Sequence, residues 1–220
     1  MKKNLYILQV LALLLVPVLF SSCSSGIAPK PNPKQTASIK GVHVNPYKEG
    51  TYAHFTASSS YPKTYGIYRN EALISSTNGS NAKVIVDRGL QRGLLLNNGQ
   101  VAMDYPVSTG NRNFPTPAGK YEVLKKKRSE KRSNLYGKIY DIDGNVVKTN
   151  ADSSKDAIPE GGRFEGALMS YWMRISWDGV GMHKGKVPRY PASHGCIRTY
   201  YKAVDTVYSK VAVGTPVVVR

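Results

Sequence analysis

Cysteine is almost missing from this chain, with two in 220 residues, at positions 23 and 196. A disulfide framework needs several pairs, and a structural zinc site needs four ligands. Two cysteines and four histidines, with no second Cys pair, supply neither. Acidic residues are also scarce, 14 Asp and Glu against 31 Lys and Arg, which leaves a net charge of +17. Such a surface attracts anions. No basic stripe interleaved with aromatics is present, so the pattern does not read as a nucleic-acid binder, and no nucleic-acid partner is expected. No internal repeat is visible, and no residue pattern calls for a metal or an organic cofactor.

The one long apolar run is N-terminal. Lys2 and Lys3 precede Leu5 to Phe20, interrupted by Gln9 and Pro17, and Ser21-Ser22-Cys23 follows. A basic start, a short apolar stretch and small residues mark an export signal over 1–22, too short to span a membrane comfortably. Cys23 directly after small residues resembles a bacterial lipoprotein processing site. The expectation is a lipidated Cys23, a membrane anchor and an exported location facing periplasm or wall; cleavage by the ordinary signal peptidase is the alternative. Loss of Lys2 and Lys3 leaves about +15, so the basic character belongs to the mature chain. Export also bears on the second cysteine. With Cys23 lipidated, Cys196 has no partner, and a free thiol in an oxidising compartment is a liability unless it is used.

Residues 23–40 are rich in Ser, Pro and Lys and read as a tether. Residues 41–81 show no clean period and read as an irregular N-terminal extension. From residue 82 the pattern is β. Lys83–Asp87, Gly93–Asn97 and Gln100–Met103 predict strands, with Asn98-Gly99 as a hairpin turn. Tyr121–Leu124, Lys138–Ile142, Trp172–Trp177 and Thr215–Val219 continue the series, and Asp143-Gly144 predicts a second turn. Tyr201, Val204, Val207, Tyr208 and Val211 fall on one helical face. The expected fold is mainly β, a β-sandwich or mixed barrel over 82–220 with one short helix. The run Lys125-Lys126-Lys127-Arg128 with Lys131-Arg132 reads either as a solvated loop or as a basic rim.

The densest chemistry lies in Gly181-Met182-His183-Lys184-Gly185 and Tyr190-Pro191-Ala192-Ser193-His194-Gly195-Cys196-Ile197-Arg198. A nearby imidazole makes a thiol nucleophilic when nothing bulky blocks its approach. His183 stands thirteen positions before Cys196, far enough for the chain to fold back, and His194 stands two before it. Gly195 permits a sharp turn with bare N–H groups, as an oxyanion hole requires. A catalytic Cys would alkylate fast at neutral pH. A small buried hydrophobe or a zinc-binding Cys–His pair would use the same residues.

Ser193-His194-Gly195-Cys196-Ile197-Arg198, preceded by Met182-His183, resembles the signature of the L,D-transpeptidase (YkuD-type) catalytic domain. Asp104–Gly110, Thr116–Tyr121, Ser133–Gly137, Tyr171–Arg174 and Gly214–Val219 fall in that family's order. Lys184 is a departure, standing where many members have Gly or Ser after the histidine. The resemblance implies that Cys196 is the nucleophile and His183 its base, with the N–H groups of Gly195 and Cys196 holding the oxyanion. It further implies that His194 shapes the loop and oxyanion hole and that Tyr171 and Trp172 line the cleft, although an aromatic pair at the start of a strand is more often core. Arg198 is suited to orienting a substrate carboxylate or carbonyl beside the thiol, and Ser193 is expected near substrate as a hydrogen-bond partner. The implied reaction joins peptidoglycan stem peptides in a 3–3 cross-link. Water as acceptor would make the same site a carboxypeptidase, and a protein amine an anchoring enzyme. A non-catalytic basic wall-binding lipoprotein is the reading from another class.

Overall fold

The computed structural model describes residues 44–220; the export signal, Cys23 and the tether lie outside the described residues. The stretch 44–81 holds more regular structure than its composition suggests. Helix α1 (Tyr52–Thr56) is capped by Thr51, whose side chain accepts from the His54 N–H. Strand β1 (Tyr68–Arg69) follows, and helix α2 (Glu71–Ser76) is capped by Asn70, which accepts from the Leu73 N–H. Both caps are side chains that satisfy an otherwise orphaned donor. Helices of five and six residues are too short to show a 3.6-residue period, which is why the sequence reads as irregular.

A buried ion pair fastens this extension to the domain. Arg92 Nε lies 2.6 Å from Asp104 Oδ1, with both side chains essentially unexposed. The other guanidinium nitrogens donate to the carbonyls of Thr64 and Gly66, and Asp104 Oδ2 accepts from the phenols of Tyr52 and Tyr61. Burial, with the Asp104 carboxylate beside them, raises both phenols: Tyr52 well above its ordinary range and Tyr61 to about 12. They therefore remain donors. Every charge in the cluster is answered, as burial demands.

The domain begins with β2 (Ala82–Asp87), β3 (Arg92–Asn97) and β4 (Gln100–Ser108). Asn98 and Gly99 both take positive φ, as the primed hairpin turn between β3 and β4 requires. Then come β5 (Gly119–Glu122), β6 (Lys125–Lys127), β7 (Arg132–Tyr140), β8 (Val146–Asp152) and β9 (Arg163–Leu168). The C-terminal part holds β10 (Trp172–Arg174), β11 (Gly181–Lys184), β12 (Ile197–Thr199), helix α3 (Tyr201–Lys210) and β13 (Pro216–Val219). The main sheet runs β5-β13-β2-β3-β4-β12-β11-β10-β6, with β1 also pairing with β4; β8-β7-β9 forms a separate three-stranded sheet. Val84, Leu95, Met103, Val107, Met173, Met182, Ile197 and Val217 share one core with Val207 of α3, so the main sheet curls about a single interior. The fold is mainly β, with α3 placed just after the cysteine segment.

The lysine run is neither a loop nor simply a rim. Lys125, Lys126 and Lys127 form β6, in register with Arg174, Met173 and Trp172. Lys125 and Lys127 are exposed, whereas Lys126 turns inward. Its Nζ donates to the carbonyls of Tyr208 at 2.6 Å and Val211 at 2.5 Å, and lies 4.3 Å from the Tyr208 ring centre. A cation there satisfies orphaned carbonyls at the C-terminal end of α3 and complements the helix dipole. We expect Lys126→Gln to lower stability by about 2 kcal/mol, the scale of hydrogen bonds to a charged donor. Lys125→Gln and Lys127→Gln should each stay within about 0.5 kcal/mol, as exposed substitutions do. Thermal melts of the three variants separate the two behaviours; three equal shifts would refute the capping role.

Candidate active site

The site is set by a short parallel pairing. β11 lies beside β12 with Met182 opposite Ile197 and His183 opposite Arg198. Met182 and Ile197 point into the core, both almost unexposed. Side chains alternate along a strand, so Gly181, His183, Cys196 and Arg198 turn to the opposite face. Gly181 faces Cys196 across the pair and carries no side chain. An added Cβ there would fall 2.5 Å from the Trp172 ring, which occupies that space. The Gly181 N–H points at the Cys196 sulfur, and the thiol lies 3.8 Å from the Gly179 carbonyl. His183 is then the diagonal neighbour of Cys196 on the adjacent strand, on the same face.

His183 Nδ1 is 2.8 Å from the carbonyl oxygen of Lys184. A carbonyl only accepts, so Nδ1 carries the hydrogen and Nε2 keeps a free lone pair. Lys184 thus acts through its backbone while its side chain is exposed to solvent. Gly185 has a packing reason: a Cβ there would lie 2.8 Å from Arg198 Cγ. Its absence lets the Arg198 stem pass.

Burial dominates the electrostatics. It lowers the His183 pKa to about 4, helped by the Arg198 charge and opposed by the Lys184 carbonyl. Burial also raises the Cys196 thiol, opposed by the Gly181 N–H and by Arg198 and Lys131. Both shifts favour neutral imidazole and neutral thiol at rest, which keeps the thiolate fraction near pH 7 small. Alkylation by iodoacetamide should be slow near pH 7 and accelerate as the solution becomes alkaline. Stability gives a second readout. The unfolded chain takes up the His183 proton near pH 6.5, while the folded chain resists until about 4. The folded state therefore loses stability as pH falls through this window, by on the order of 3 kcal/mol. Urea melts of wild type and His183→Gln between pH 7 and 4 should diverge accordingly; parallel curves would contradict the burial argument.

The loop before Cys196 is tied down at each turn. Gly195 sits at φ +102, a conformation L side chains rarely adopt. Its carbonyl accepts from Thr116 Oγ1 at 2.7 Å, and Thr116 in turn accepts from the Gly110 N–H at 2.8 Å. Ser193 donates its hydroxyl to the Cys196 carbonyl, and its backbone pairs with Thr109 and Asn111. Ser193 is 2% exposed and positions the loop through these hydrogen bonds, whereas the substrate contact also expected of it would need a more open side chain. With both carbonyls drawn into the protein, the Gly195–Cys196 peptide has a fixed orientation.

Residues 81–219 match the YkuD L,D-transpeptidase catalytic domain. The chain belongs to this family. Among solved structures it is similar to an L,D-transpeptidase from Mycobacterium smegmatis (22% identity, TM-score 0.48, covering 64% of this chain and 58% of that one). It is also similar to L,D-transpeptidases from Enterococcus faecium (27%, 0.44, 64% and 50%) and Stackebrandtia nassauensis (17%, 0.47, 76% and 63%). The chain thus spans between 50% and 63% of the length of these structures. No curated protein matches it.

In this L,D-transpeptidase domain a cleft of about 360 Å³ opens over Cys196, walled by Lys131, Tyr136, Trp172, Arg174 and His194. A second recess of about 280 Å³, lined in part by Arg132, Lys138, Glu165 and Arg198, lies on the other side of Tyr136 and His194. These two rings stack at 3.9 Å and 17°, with Phe114 5.0 Å from the histidine, and form the partition. His194 is exposed and joins the three-stranded sheet to the cysteine loop. Trp172 lines the cleft with its ring centre 6.1 Å from His183. Tyr171 does not. It takes φ +58 and packs on Tyr208 at 5.5 Å and beneath Arg128 at 5.1 Å, so its place in the cleft is corrected. Among the described residues no group of three or more His, Cys, Asp or Glu could hold a metal. Sequence reasoning assigned no role to Tyr136, Gly181 or Thr116. Glycine at 181, two before the histidine, was the available signal for a close approach there, which the Trp172 ring makes.

Proposed function

We propose that this chain is a peptidoglycan L,D-transpeptidase with Cys196 as nucleophile and His183 as general base. The observation that carries this reading is the parallel register of β11 and β12, which sets an imidazole with a free Nε2 diagonal to a thiol on one face. The thiol proton passes to His183 Nε2 as sulfur attacks the carbonyl between the third residue of a tetrapeptide stem and its terminal D-Ala. The N–H groups of Gly195 and Cys196 hold the oxyanion, each such donor contributing roughly 3–4 kcal/mol to the transition state. The imidazolium returns the proton to the departing D-Ala amine, leaving a thioester. An amine of a second stem attacks this thioester, gives its proton to His183, and forms the 3–3 amide while the thiol is regenerated. Arg198 remains cationic beside the pair and favours the thiolate as it forms.

Purified protein incubated with tetrapeptide-bearing wall fragments should yield cross-linked dimers lighter by one alanine, read by mass spectrometry. Release of D-Ala without dimers would identify a carboxypeptidase, and fragments joined to a protein amine an anchoring enzyme. Unchanged fragments would leave the wall-binding reading. The basic surface suits an anionic wall polymer, with exposed Lys125 and Lys127 among its charges. We further propose export over 1–22 and lipidation at Cys23, which lies outside the described residues. Two or three acyl chains would hold the protein on membrane. Recovery of wild-type protein as a soluble chain beginning after residue 23 would refute the anchor.

A further inference from the structure

Trp177 is 77% exposed, an unusual state for the largest apolar side chain. It stands at the tip between β10 and β11, where Val180 N–H donates to Ser176 Oγ and Arg174 donates to the Trp177 carbonyl. The tip is therefore built, and it holds the indole outward between two concavities. On one side is the cleft over Cys196. On the other is an open groove of about 510 Å³ lined by Lys120, Tyr121, Glu122, Leu124, Ile175 and Ser176. Trp177 borders both. The groove has an apolar floor, and Lys120 and Glu122 are its exposed polar residues on β5.

We propose that this groove binds the glycan strand of the wall polymer, with an N-acetylated hexosamine ring stacked on Trp177. This rests on the transpeptidase reading above. A sugar ring offers one face of C–H bonds and a rim of hydroxyl and N-acetyl groups, which an exposed indole flanked by an amine and a carboxylate complements. Reach favours this occupant. Three stem residues separate the acylated carbonyl from the sugar, about 10 Å or more when extended. Gly179, whose carbonyl faces the thiol at 3.8 Å, is two residues from Trp177, so their Cα atoms lie within roughly 8 Å. A stem acylating Cys196 that leaves the cleft past the tip brings its sugar to the groove.

The test compares two donors, the free tetrapeptide and the same stem on its disaccharide. Trp177→Ala should raise KM for the sugar-bearing donor at least tenfold more than for the free peptide, and Trp177→Phe should recover part of the loss. Lys120→Ala with Glu122→Ala, outside the cleft, should raise KM for the sugar-bearing donor by several-fold and spare the peptide. Equal effects of Trp177→Ala on both donors, or none on either, would overturn the glycan subsite. If wild type turns over neither donor, the transpeptidase reading fails by itself. The groove is then judged by titrating wild type with an N-acetylglucosamine tetramer and following indole fluorescence. A saturable change absent from Trp177→Ala supports the subsite, and a flat titration ends it.

Discussion

Cys196→Ser will take up no mass from a carbapenem, while wild type gains the mass of one molecule per chain. The strained lactam carbonyl presents the thiol with an acyl donor that cannot leave, so the thioester accumulates. Serine in the same place lacks the acidity and nucleophilicity of the thiol, and a base with a pKa near 4 cannot activate a hydroxyl well. His183→Ala should slow acylation by roughly 10²–10⁴, the range for loss of a general base. His194→Ala should act differently. It removes the ring stacked on Tyr136, loosening the partition between cleft and recess while leaving the proton path in place. An adduct that survives Cys196→Ser, or wild-type acylation rates in His183→Ala, would overturn the assigned roles.

The largest stability effect is expected far from the thiol, at the Arg92–Asp104 pair. Asp104→Ala leaves a buried guanidinium with only two carbonyls and strands the phenols of Tyr52 and Tyr61. Breaking one partner of a buried pair costs about 3–5 kcal/mol. At about 2–4 °C per kcal/mol for a chain of this size, the melting temperature should fall by roughly 6–20 °C. Arg92→Met combined with Asp104→Leu should recover part of that loss, because no isolated charge remains. The damage should reach the site as well. Asp104 lies on β4, whose Ser108 pairs with Arg198 of β12. A single Asp104→Ala that melts within 2 °C of wild type would show that the network is not what holds residues 44–69 in place.

The contrast between these two sites explains what the sequence could and could not disclose. The segment holding Cys196, His183 and Gly195 stood out in the sequence because the chemistry proposed for it restricts residue type and spacing. The hairpin at Asn98-Gly99 was legible because few residues tolerate its backbone angles. The helical face was also legible through Val204 and Val207, although Tyr201 on the same stripe is exposed. Long-range partners left no local mark. Lys126 looked like its neighbours in a charge run, and only the fold brings the end of α3 to it, 82 and 85 residues away. Tyr171 looked like Trp172, but strand alternation and a positive φ send the two rings to opposite sides. Strands β11 and β12, of four and three residues, carry too little pattern to be seen before they pair.

One consequence follows from the way the imidazole is held. Its Nδ1 hydrogen is accepted by a main-chain carbonyl, that of Lys184, and every amino acid provides the same oxygen. A mutational scan would therefore pass over position 184 in silence, even though the atom that fixes the tautomer belongs to it. The contribution becomes visible only when the backbone itself is rewritten, for example by semisynthesis with an ester in place of the Lys184–Gly185 amide. That change weakens the carbonyl as an acceptor, removes the Gly185 N–H that donates to the Thr199 carbonyl, and leaves every side chain of the site as it was.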